Sequence, residues 1–302
     1  MSRKPIPVIL DTDIGTDIDD TWALAMLLRS PELDLKLVTV ATGDAPYRAR
    51  LAARFLAGAG RADVGVGVGV STAMPSGHRT QAPWADAYEL ADYPGTVNQD
   101  GVAALIETIM TSPEPVTVVA IGPLDNIGAA LAREPRIADR ARFVGMLGCL
   151  RWSHQEQAGH GCIAEYNVKG AIAACQKTFA AAWDKTITPL DTCGRVRLTG
   201  AKYAAVAGAR DPMARAIIEN YEVWQRCGGW VRDPGISSIL FDCVAVYLAF
   251  ADGLLGMERL GIRVADDGFM REDPEAPSIN CATTWKDLPA FEDLLVARLT
   301  SG

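Results

Sequence analysis

The sequence predicts an α/β fold, a mostly parallel open sheet flanked by helices on both faces. Strand-like and helical runs alternate through the first two-thirds of the 302-residue chain, and 49% of the residues are hydrophobic. The strand-like runs are continuously apolar and rich in β-branched residues, as strands buried on both faces are. Strand–helix alternation of this kind is typical of a parallel sheet with a large core.

The elements follow one another without a break in pattern. The first strand-like run, 7–10, leads directly into a mostly buried helix at 20–28. Further strands are predicted at 33–41, 64–70, 116–121, 143–147 and 186–190, helices at 47–58, 124–133, 171–183, 213–226 and 242–251, and a small C-terminal strand pair within 262–284. The sequence contains no Pro/Gly/Ser linker, repeat or low-complexity tract. We therefore predict that residues 1–302 form a single domain with a Rossmann-like core.

Charge and composition exclude several classes of partner. The formal net charge is −8 and the isoelectric point about 5.0, so there is no electrostatic footprint for nucleic acid or an anionic membrane. The sequence has no run of 18 apolar residues and no apolar signal-like segment after its first residues. These features lead us to expect a cytoplasmic protein.

The cysteines and histidines do not form a metal motif. Seven cysteines are scattered without a CxxC pair, and none of the three histidines (His78, His154, His160) shows a structural zinc spacing. An odd, unpatterned set of cysteines in a chain expected to be cytoplasmic predicts reduced thiols. The lack of a zinc-ligand spacing among the cysteines and histidines also argues against a structural zinc site.

A cluster of acids is the most informative local feature. Five aspartates occur within ten residues, directly after the first strand: Asp11, Asp13, Asp17, Asp19 and Asp20. Open α/β sheets bind ligands at the carboxyl ends of their strands. So many carboxylates on one turn repel one another unless a cation lies among them, and oxygen ligands suit Ca²⁺ before Mg²⁺. Helix capping needs only one or two acids. An EF-hand loop is excluded because Trp22, not Glu, occupies its twelfth position.

Five motifs, in order, resemble those of the inosine–uridine nucleoside hydrolase family. They are the aspartate cluster and the stretches GPLDNI at 122–127, EYN at 165–167, PLD at 189–191 and FDCVA at 241–245. The resemblance runs over nearly the whole chain. It implies Ca²⁺-dependent hydrolysis of the N-glycosidic bond of ribonucleosides to free base and ribose by a metal-activated water. It also implies a small-molecule ribonucleoside as the partner and a homodimer or homotetramer as the assembly.

The resemblance assigns a catalytic and metal-binding set by position. Asp13 matches the aspartate that ligates the metal and accepts the proton of the attacking water. The other implied metal ligands are Asp20, Asp242 and the backbone carbonyl of Ile121. The chemistry is consistent with these roles, because N-glycosidic cleavage passes through an oxocarbenium-like sugar that carboxylates stabilise. A bound metal also lowers the pKa of its water.

The resemblance also implies a set of sugar contacts. Asp19 matches the residue that hydrogen-bonds the 2′-hydroxyl, and Glu165 and Asn167 match groups that hold the 5′- and 3′-hydroxyls. Asp44 stands where the family carries an asparagine. Its type and position after Gly43 fit a turn role and a sugar contact equally well.

Two departures from the family pattern affect residues expected at the active site. The turn before Asp19 is two residues longer than usual, and Asp17 in it has no assigned role. Phe241 stands where some members carry a histidine that could protonate the leaving base. Six residues are therefore candidates for a leaving-group site: His78, Trp152, His154, His160, Trp224 and Trp230. A histidine within 154–160 is preferred as proton donor, His78 is second, and Trp224 is interpreted first as a helix-packing residue.

Two alternative functions remain open at this point. A catalytically weak, Ca²⁺-dependent nucleoside- or ribose-binding homologue is favoured by Phe241. A haloacid-dehalogenase-type phosphatase also opens with a strand followed by Asp-x-Asp. That second alternative is disfavoured because Gly15 occupies the position where such enzymes carry Thr or Val. The sequence does not identify the preferred nucleobase, since variable loops build the base pocket.

Overall fold

Ten strands form one sheet in the part of the chain that the computed structural model describes, residues 4–75, 77–155, 161–231 and 233–301. They are β1 (Ile6–Thr12), β2 (Leu33–Val40), β3 (Gly65–Val68), β4 (Val97–Asn98), β5 (Val116–Ala120), β6 (Ala141–Met146), β7 (Lys185–Thr188), β8 (Leu255–Val264), β9 (Met270–Glu272) and β10 (Ser278–Trp285). Their order across the sheet is β4-β3-β2-β1-β5-β6-β7-β10-β8-β9. All neighbouring strands are parallel except at β8, which is antiparallel to β10 and β9. The predicted mostly parallel open sheet is confirmed.

Helices cover both faces of the sheet. They are α1 (Asp19–Leu28), α2 (Ala45–Gly58), α3 (Ala82–Ala85), α4 (Gly101–Thr111), α5 (Asp125–Arg133), α6 (Tyr166–Gly170), α7 (Ile172–Ala180), α8 (Leu190–Cys193), α9 (Gly200–Ala207), α10 (Pro212–Arg226), α11 (Cys243–Leu248) and α12 (Leu288–Thr300), with short 3₁₀ turns at Leu90–Asp92 and Pro135–Asp139. In these described parts of the chain, no helix combines the length and apolarity needed to cross a membrane.

The alternation of side chains along β1 divides the core into two halves. Val8 and Leu10 pack with α1, α2, α10, α11 and α12, whereas Ile9 packs on the opposite face with α4, α5 and α7. All three side chains are completely buried. A strand buried on both faces reads as a continuous apolar run, so the run at 7–10 predicted a central strand correctly.

Several elements differ from the sequence-based prediction. Helices α4, α9 and α12 were not predicted. In α9 only Tyr203 and Val206 are buried, so the helical period is weak in its sequence. The C-terminal pair of strands is in fact three strands, beginning at Leu255. The first half of β8 is only partly buried and therefore lacks a clear apolar pattern.

The expectation of reduced thiols is wrong for one pair of cysteines. Cys149, after β6, and Cys162, before α6, form a disulfide with their Cα atoms 5.7 Å apart, within the range that disulfides require. Their 13-residue separation carries no motif, so only the fold shows their proximity. The other five cysteines are free.

The order in which strands are added across the sheet changes direction at β1. Strand β1 pairs with β2 on one side and β5 on the other, and the next strands extend outward from each. Such a switch point opens a crevice at the strands' carboxyl ends. Buried Asn126 holds this point together, because its amide nitrogen donates to Asp11 Oδ1 (2.7 Å) and Val40 O (3.2 Å) and its oxygen accepts from Val70 N (2.9 Å).

Replacing Asn126 by Ala is expected to destabilise the metal-free protein by about 1–3 kcal/mol, the cost of leaving buried polar groups unpaired. Burial raises the pKa of Asp11 to about 7, while its hydrogen bonds with Thr39 and Asn126 lower it. Asn126 therefore stabilises the ionised form, and its loss should cost more above pH 7 than below. Urea unfolding with chelator at the two pH values measures this. Equal losses at both would contradict the coupling, and Asn280→Ala on β10 serves as the control.

Candidate active site

A cleft of about 970 Å³ lies at the carboxyl ends of the central strands. Residues that follow four neighbouring strands reach its lining: Asp13 after β1, Ile121 after β5, Met146 at the end of β6 and Leu190 after β7. The walls come from loops and from the residues that begin α1, α6 and α11. The cleft therefore occupies the position where an open α/β sheet binds its ligand.

Three buried carboxylates converge on the floor of the cleft. Oxygens of Asp19, Asp20 and Asp242 lie within 4.8 Å of one another, and each residue is only 3% exposed. Asp19 and Asp20 are the first residues of α1, and Asp242 immediately precedes α11. The backbone N–H of Asp242 donates to Asp19 Oδ2 at 3.3 Å, and Thr12 Oγ1 donates to Asp20. The two helix starts are thus joined at the acidic cluster.

The electrostatics of this cluster fit a cation. Burial raises the pKa of Asp19, Asp20 and Asp242 well above the usual aspartate range, and repulsion from neighbouring aspartates raises it further. Burial likewise raises the pKa of Asp17, which lines the same cleft. A divalent cation would favour the ionised form of such carboxylates. An oxygen-only donor set suits a hard cation, so the residues present fit a metal of that kind.

Asp13 lines the same cleft as the three carboxylates and forms an ion pair with a buried arginine. Its Oδ2 is 3.7 Å from the guanidinium of Arg48, which is itself almost completely buried. Arg48 is held in place by donating to Ile14 O at 2.9 Å and Thr42 O at 2.6 Å. Burial raises the pKa of Asp13, and the charge of Arg48 lowers it. Asp13 is thus the acid on the floor that forms an ion pair with a basic side chain of the described chain.

The predicted metal ligands all reach the cleft, with one difference in grouping. Asp13, Asp20, Ile121 and Asp242 line it together. The tight triad, however, contains Asp19 in the place of Asp13. The carbonyl of Ile121 accepts a hydrogen bond from Asn167 Nδ2 at 3.2 Å, which leaves its second lone pair available.

Glu165 and Asn167 form one wall of the cleft. Glu165 caps α6 and accepts from three backbone N–H groups, those of Asn167 (2.7 Å), Gly148 (2.9 Å) and Val168 (3.1 Å). Burial raises its pKa, and these hydrogen bonds lower it. Asn167 donates to two carbonyls, Ile121 and Met146 at 3.0 Å. Both side chains are therefore fixed before any ligand binds.

The opposite end of the cleft is aromatic and basic. His154 contacts Phe241 edge-to-face with ring centroids 5.2 Å apart, and exposed Trp230 contacts Trp224 at 4.9 Å. Arg197 lines the same end. Burial lowers the pKa of His154, and the charge of Arg197 lowers it further. His154 is therefore a neutral imidazole near pH 7.

Three predicted site residues do not line the cleft: Asp44, Trp152 and Trp224. Asp44 caps α2 through Tyr47 N at 3.0 Å and pairs with Arg79. Trp152 lies beneath the guanidinium of Arg195, 3.8 Å from its ring centre.

Trp224 is fully buried in α10 and donates to Thr16 O at 3.1 Å, as expected of a packing residue. His78 and Trp230 do line the cleft. His160 lies outside the described residues.

Sequence reasoning missed Arg197, Tyr166 and Lys169 among the residues that line the cleft. Tyr166 and Lys169 flank Asn167 in α6, so the EYN motif itself pointed to them. Arg197 lies in the loop between α8 and α9, where the sequence has no motif. Only the packing of that loop against the segment before Asp242 reveals it.

Comparison with known proteins gives the same assignment throughout. The family model described as inosine-uridine preferring nucleoside hydrolase matches residues 8–289. Non-specific ribonucleoside hydrolase RihC of Escherichia fergusonii is 30% identical over 204 residues, which is 64% of this chain and 64% of that protein. RihC of Klebsiella pneumoniae is 30% identical over 210 residues, 66% of each chain. The matched region thus spans just under two-thirds of these relatives.

Solved structures share the fold over nearly their whole length. A structure described as plant nucleoside hydrolase PpNRh1 has a TM-score of 0.85 at 22% identity and covers 99% of this chain and 100% of its own. The inosine-uridine preferring nucleoside hydrolase from Bacillus anthracis has a TM-score of 0.79 at 19% identity, covering 98% and 99%. The family match extends from Val8, the first buried residue of β1, into α12 and includes every acid on the floor of the cleft. The chain belongs to the inosine-uridine preferring nucleoside hydrolase family.

Proposed function

We propose that this protein hydrolyses the N-glycosidic bond of ribonucleosides to free base and ribose, with Ca²⁺ held by the acidic cluster. The observation that carries the proposal is the convergence of buried carboxylates with the pre-formed wall of Glu165 and Asn167 in one cleft. A triad of acids is suited to a cation and to a developing positive charge, and fixed polar groups are suited to sugar hydroxyls. The names of the RihC relatives agree with this activity.

Asp13 is the proposed general base. It accepts a proton from the water that attacks C1′, while the C1′–N bond breaks and its electron pair leaves with the base nitrogen. The sugar passes through an oxocarbenium-like state, whose positive charge the surrounding carboxylates stabilise. Arg48 keeps Asp13 available as a carboxylate because its charge lowers the pKa that burial raises.

The sugar is held by groups whose other hydrogen bonds are already made. Both amide hydrogens of Asn167 go to carbonyls, so its side-chain oxygen is the atom left to accept the 3′-hydroxyl. Glu165 has about four acceptor positions and uses three for backbone N–H groups, so one remains for the 5′-hydroxyl. Asp19 is proposed to accept the 2′-hydroxyl.

Asp20, Asp242, the Ile121 carbonyl and Asp13 are the proposed Ca²⁺ ligands, with Asp19 adjacent. When bound, Ca²⁺ supplies positive charge that keeps these acids ionised and polarises the attacking water and the sugar hydroxyls. Asp20 is oriented for this by Thr12, and Asp242 by its position at the start of α11.

A second function is favoured by one observation. Phe241 lies against His154 at the aromatic end and has no proton to give. A Ca²⁺-dependent nucleoside-binding protein without turnover would tolerate that residue. Measuring binding and turnover on the same sample separates the two functions. Family membership excludes the haloacid-dehalogenase alternative.

Calcium is expected to raise the melting temperature, and the gain should grow with pH. In the metal-free protein burial and mutual repulsion hold the pKa values of Asp19, Asp20 and Asp242 above the ordinary aspartate value of 3.8. The folded state therefore binds more protons than the unfolded state, and its stability falls as pH rises above about 4. Ca²⁺ should remove this loss. Melting curves with chelator or Ca²⁺ from about pH 5 to pH 8 test this.

Two controls test which ion stabilises the protein and where that ion binds. Mg²⁺ should stabilise less than Ca²⁺, because a cluster of buried carboxylates leaves little room for the waters that Mg²⁺ retains. Asp242→Ala should abolish the stabilisation by either ion. A gain that is independent of pH, or that persists in Asp242→Ala, would place the ion elsewhere.

Asp13→Asn is expected to lower kcat by at least about 10²–10⁴-fold, the range for loss of a general base. Because Asp13 is a proposed ligand outside the tight triad, the variant should weaken calcium-dependent stabilisation without abolishing it, whereas Asp242→Ala should lose it together with activity. Initial rates on uridine and inosine, with calcium titrations, measure both effects. Asp139→Asn, at an exposed position far from the cleft, is the control. Full turnover by Asp13→Asn would exclude this residue as the base.

Discrimination against 2′-deoxyribonucleosides is expected to be about 10⁴-fold in kcat/KM, the size found where a buried polar site loses its hydrogen-bonding partner. A deoxyribose would leave Asp19, which is only 3% exposed, without its hydroxyl. Rates on uridine and 2′-deoxyuridine give the ratio, and 5′-deoxyuridine compares the contribution of Glu165. Similar rates on uridine and 2′-deoxyuridine would contradict the role of Asp19.

A further inference from the structure

Arg197 is rigidly attached to the segment that supplies Asp242. Its neighbours Val196 and Leu198 are completely buried. The carbonyl of Val196 accepts from Leu240 N, and that of Leu198 accepts from Ser237 N, both at 2.9 Å. The backbone of Arg197 is therefore pinned to residues 237–240, directly before Phe241 and Asp242. Its side chain lines the aromatic end of the cleft, together with Trp230 and Phe241.

The guanidinium of Arg197 has no acceptor within the described part of the chain. None of the ion pairs or side-chain hydrogen bonds found there involves it, although it is half-buried. The other arginine near the floor, Arg48, is fully committed to Ile14, Thr42 and Asp13. A half-buried guanidinium that lines a cleft and has no acceptor in the protein keeps its N–H donors available for an oxygen of the ligand.

The position of Arg197 within the cleft tells which part of a nucleoside it meets. The acids and Glu165 follow the ends of strands or begin helices, whereas Arg197 comes from a loop and lies close enough to His154 to lower its pKa. A base attached to a ribose on the acidic floor would extend toward these loop residues. His154 is a poor proton donor at neutral pH, since burial and the charge of Arg197 both keep its imidazole neutral.

We propose that Arg197 binds the nucleobase and stabilises it as it departs, and that it is the residue through which this site selects oxo bases over amino bases. This inference rests on the proposed function. The guanidinium donates to a carbonyl oxygen of the base, on which negative charge accumulates as the C1′–N bond breaks. Arg197 transfers no proton. The base leaves as an anion and takes its proton from solvent, and the proton of the attacking water goes to Asp13.

The preference for oxo bases follows from the donor-only character of arginine. Its N–H groups match a carbonyl at position 6 of a purine or position 4 of a uracil, whereas adenine and cytosine present an amino group there. A site built around a fixed hydrogen bond discriminates strongly against a ligand that cannot make it.

The test compares Arg197→Met and Arg197→Lys with the parent on inosine, adenosine and a nitrophenyl riboside. Arg197→Met should lower kcat on inosine by about 10²–10³-fold, the usual effect of removing one donor to a developing anion. The nitrophenyl riboside, whose leaving group is a stable anion, should react at close to the parent rate, which also shows that the variant is folded. Arg197→Lys should recover part of the loss, and added guanidinium ion should partly rescue Arg197→Met. Arg210→Met, exposed and outside the cleft, controls for the loss of one charge.

The parent should prefer inosine to adenosine, and Arg197→Met should abolish that preference. Equal losses on inosine and the nitrophenyl riboside, or no loss on inosine, would overturn the role of Arg197. So would a loss specific to natural nucleosides in His154→Ala and not in Arg197→Met. If the parent itself hydrolysed none of the three ribosides in the presence of Ca²⁺, the proposed function would fail and this inference with it.

Discussion

The repulsion among buried carboxylates at the carboxyl end of β1 is the constraint on which the rest of the site depends. Asp19, Asp20 and Asp242 are almost fully shielded from water, and each is held close to the other two. Burial alone would keep them protonated and chemically passive. In the proposed mechanism a cation ionises them, and ionised carboxylates stabilise an oxocarbenium-like sugar. The charge proposed to stabilise the reaction would therefore destabilise the metal-free fold.

The fold holds this charge in place with neutral and cationic supports on the surrounding elements. Asn126 connects Asp11 on β1 to the carbonyl of Val40 at the end of β2. Arg48 reaches from α2 to Asp13 and to two backbone carbonyls. All of these contacts lie within the protein itself. They give the acidic floor the fixed support on which electrostatic stabilisation of a transition state depends.

The two groups of residues that line the cleft differ in structure, and this difference supports the proposed division into a sugar end and a base end. The sugar end consists of short helix starts and strand ends, whose backbone N–H groups saturate Glu165. The base end consists of loop residues with aromatic rings and a half-buried arginine. A uniform ribose and a variable base would be recognised by such a division. The Cys149–Cys162 disulfide links the segment after β6 to the segment before α6.

The sequence by itself determined the strand–helix alternation, the acidic floor and the EYN wall, because each is encoded in consecutive residues next to a strong apolar run. It did not determine α9 or β8, whose burial is partial, nor the disulfide, whose cysteines carry no motif. Tertiary structure alone brought Asp19 into the triad, turned Asp44 into a helix cap and placed Arg197 beside Phe241. These contacts join residues far apart in sequence, and their geometry follows from how loops pack on the sheet, which no local pattern specifies.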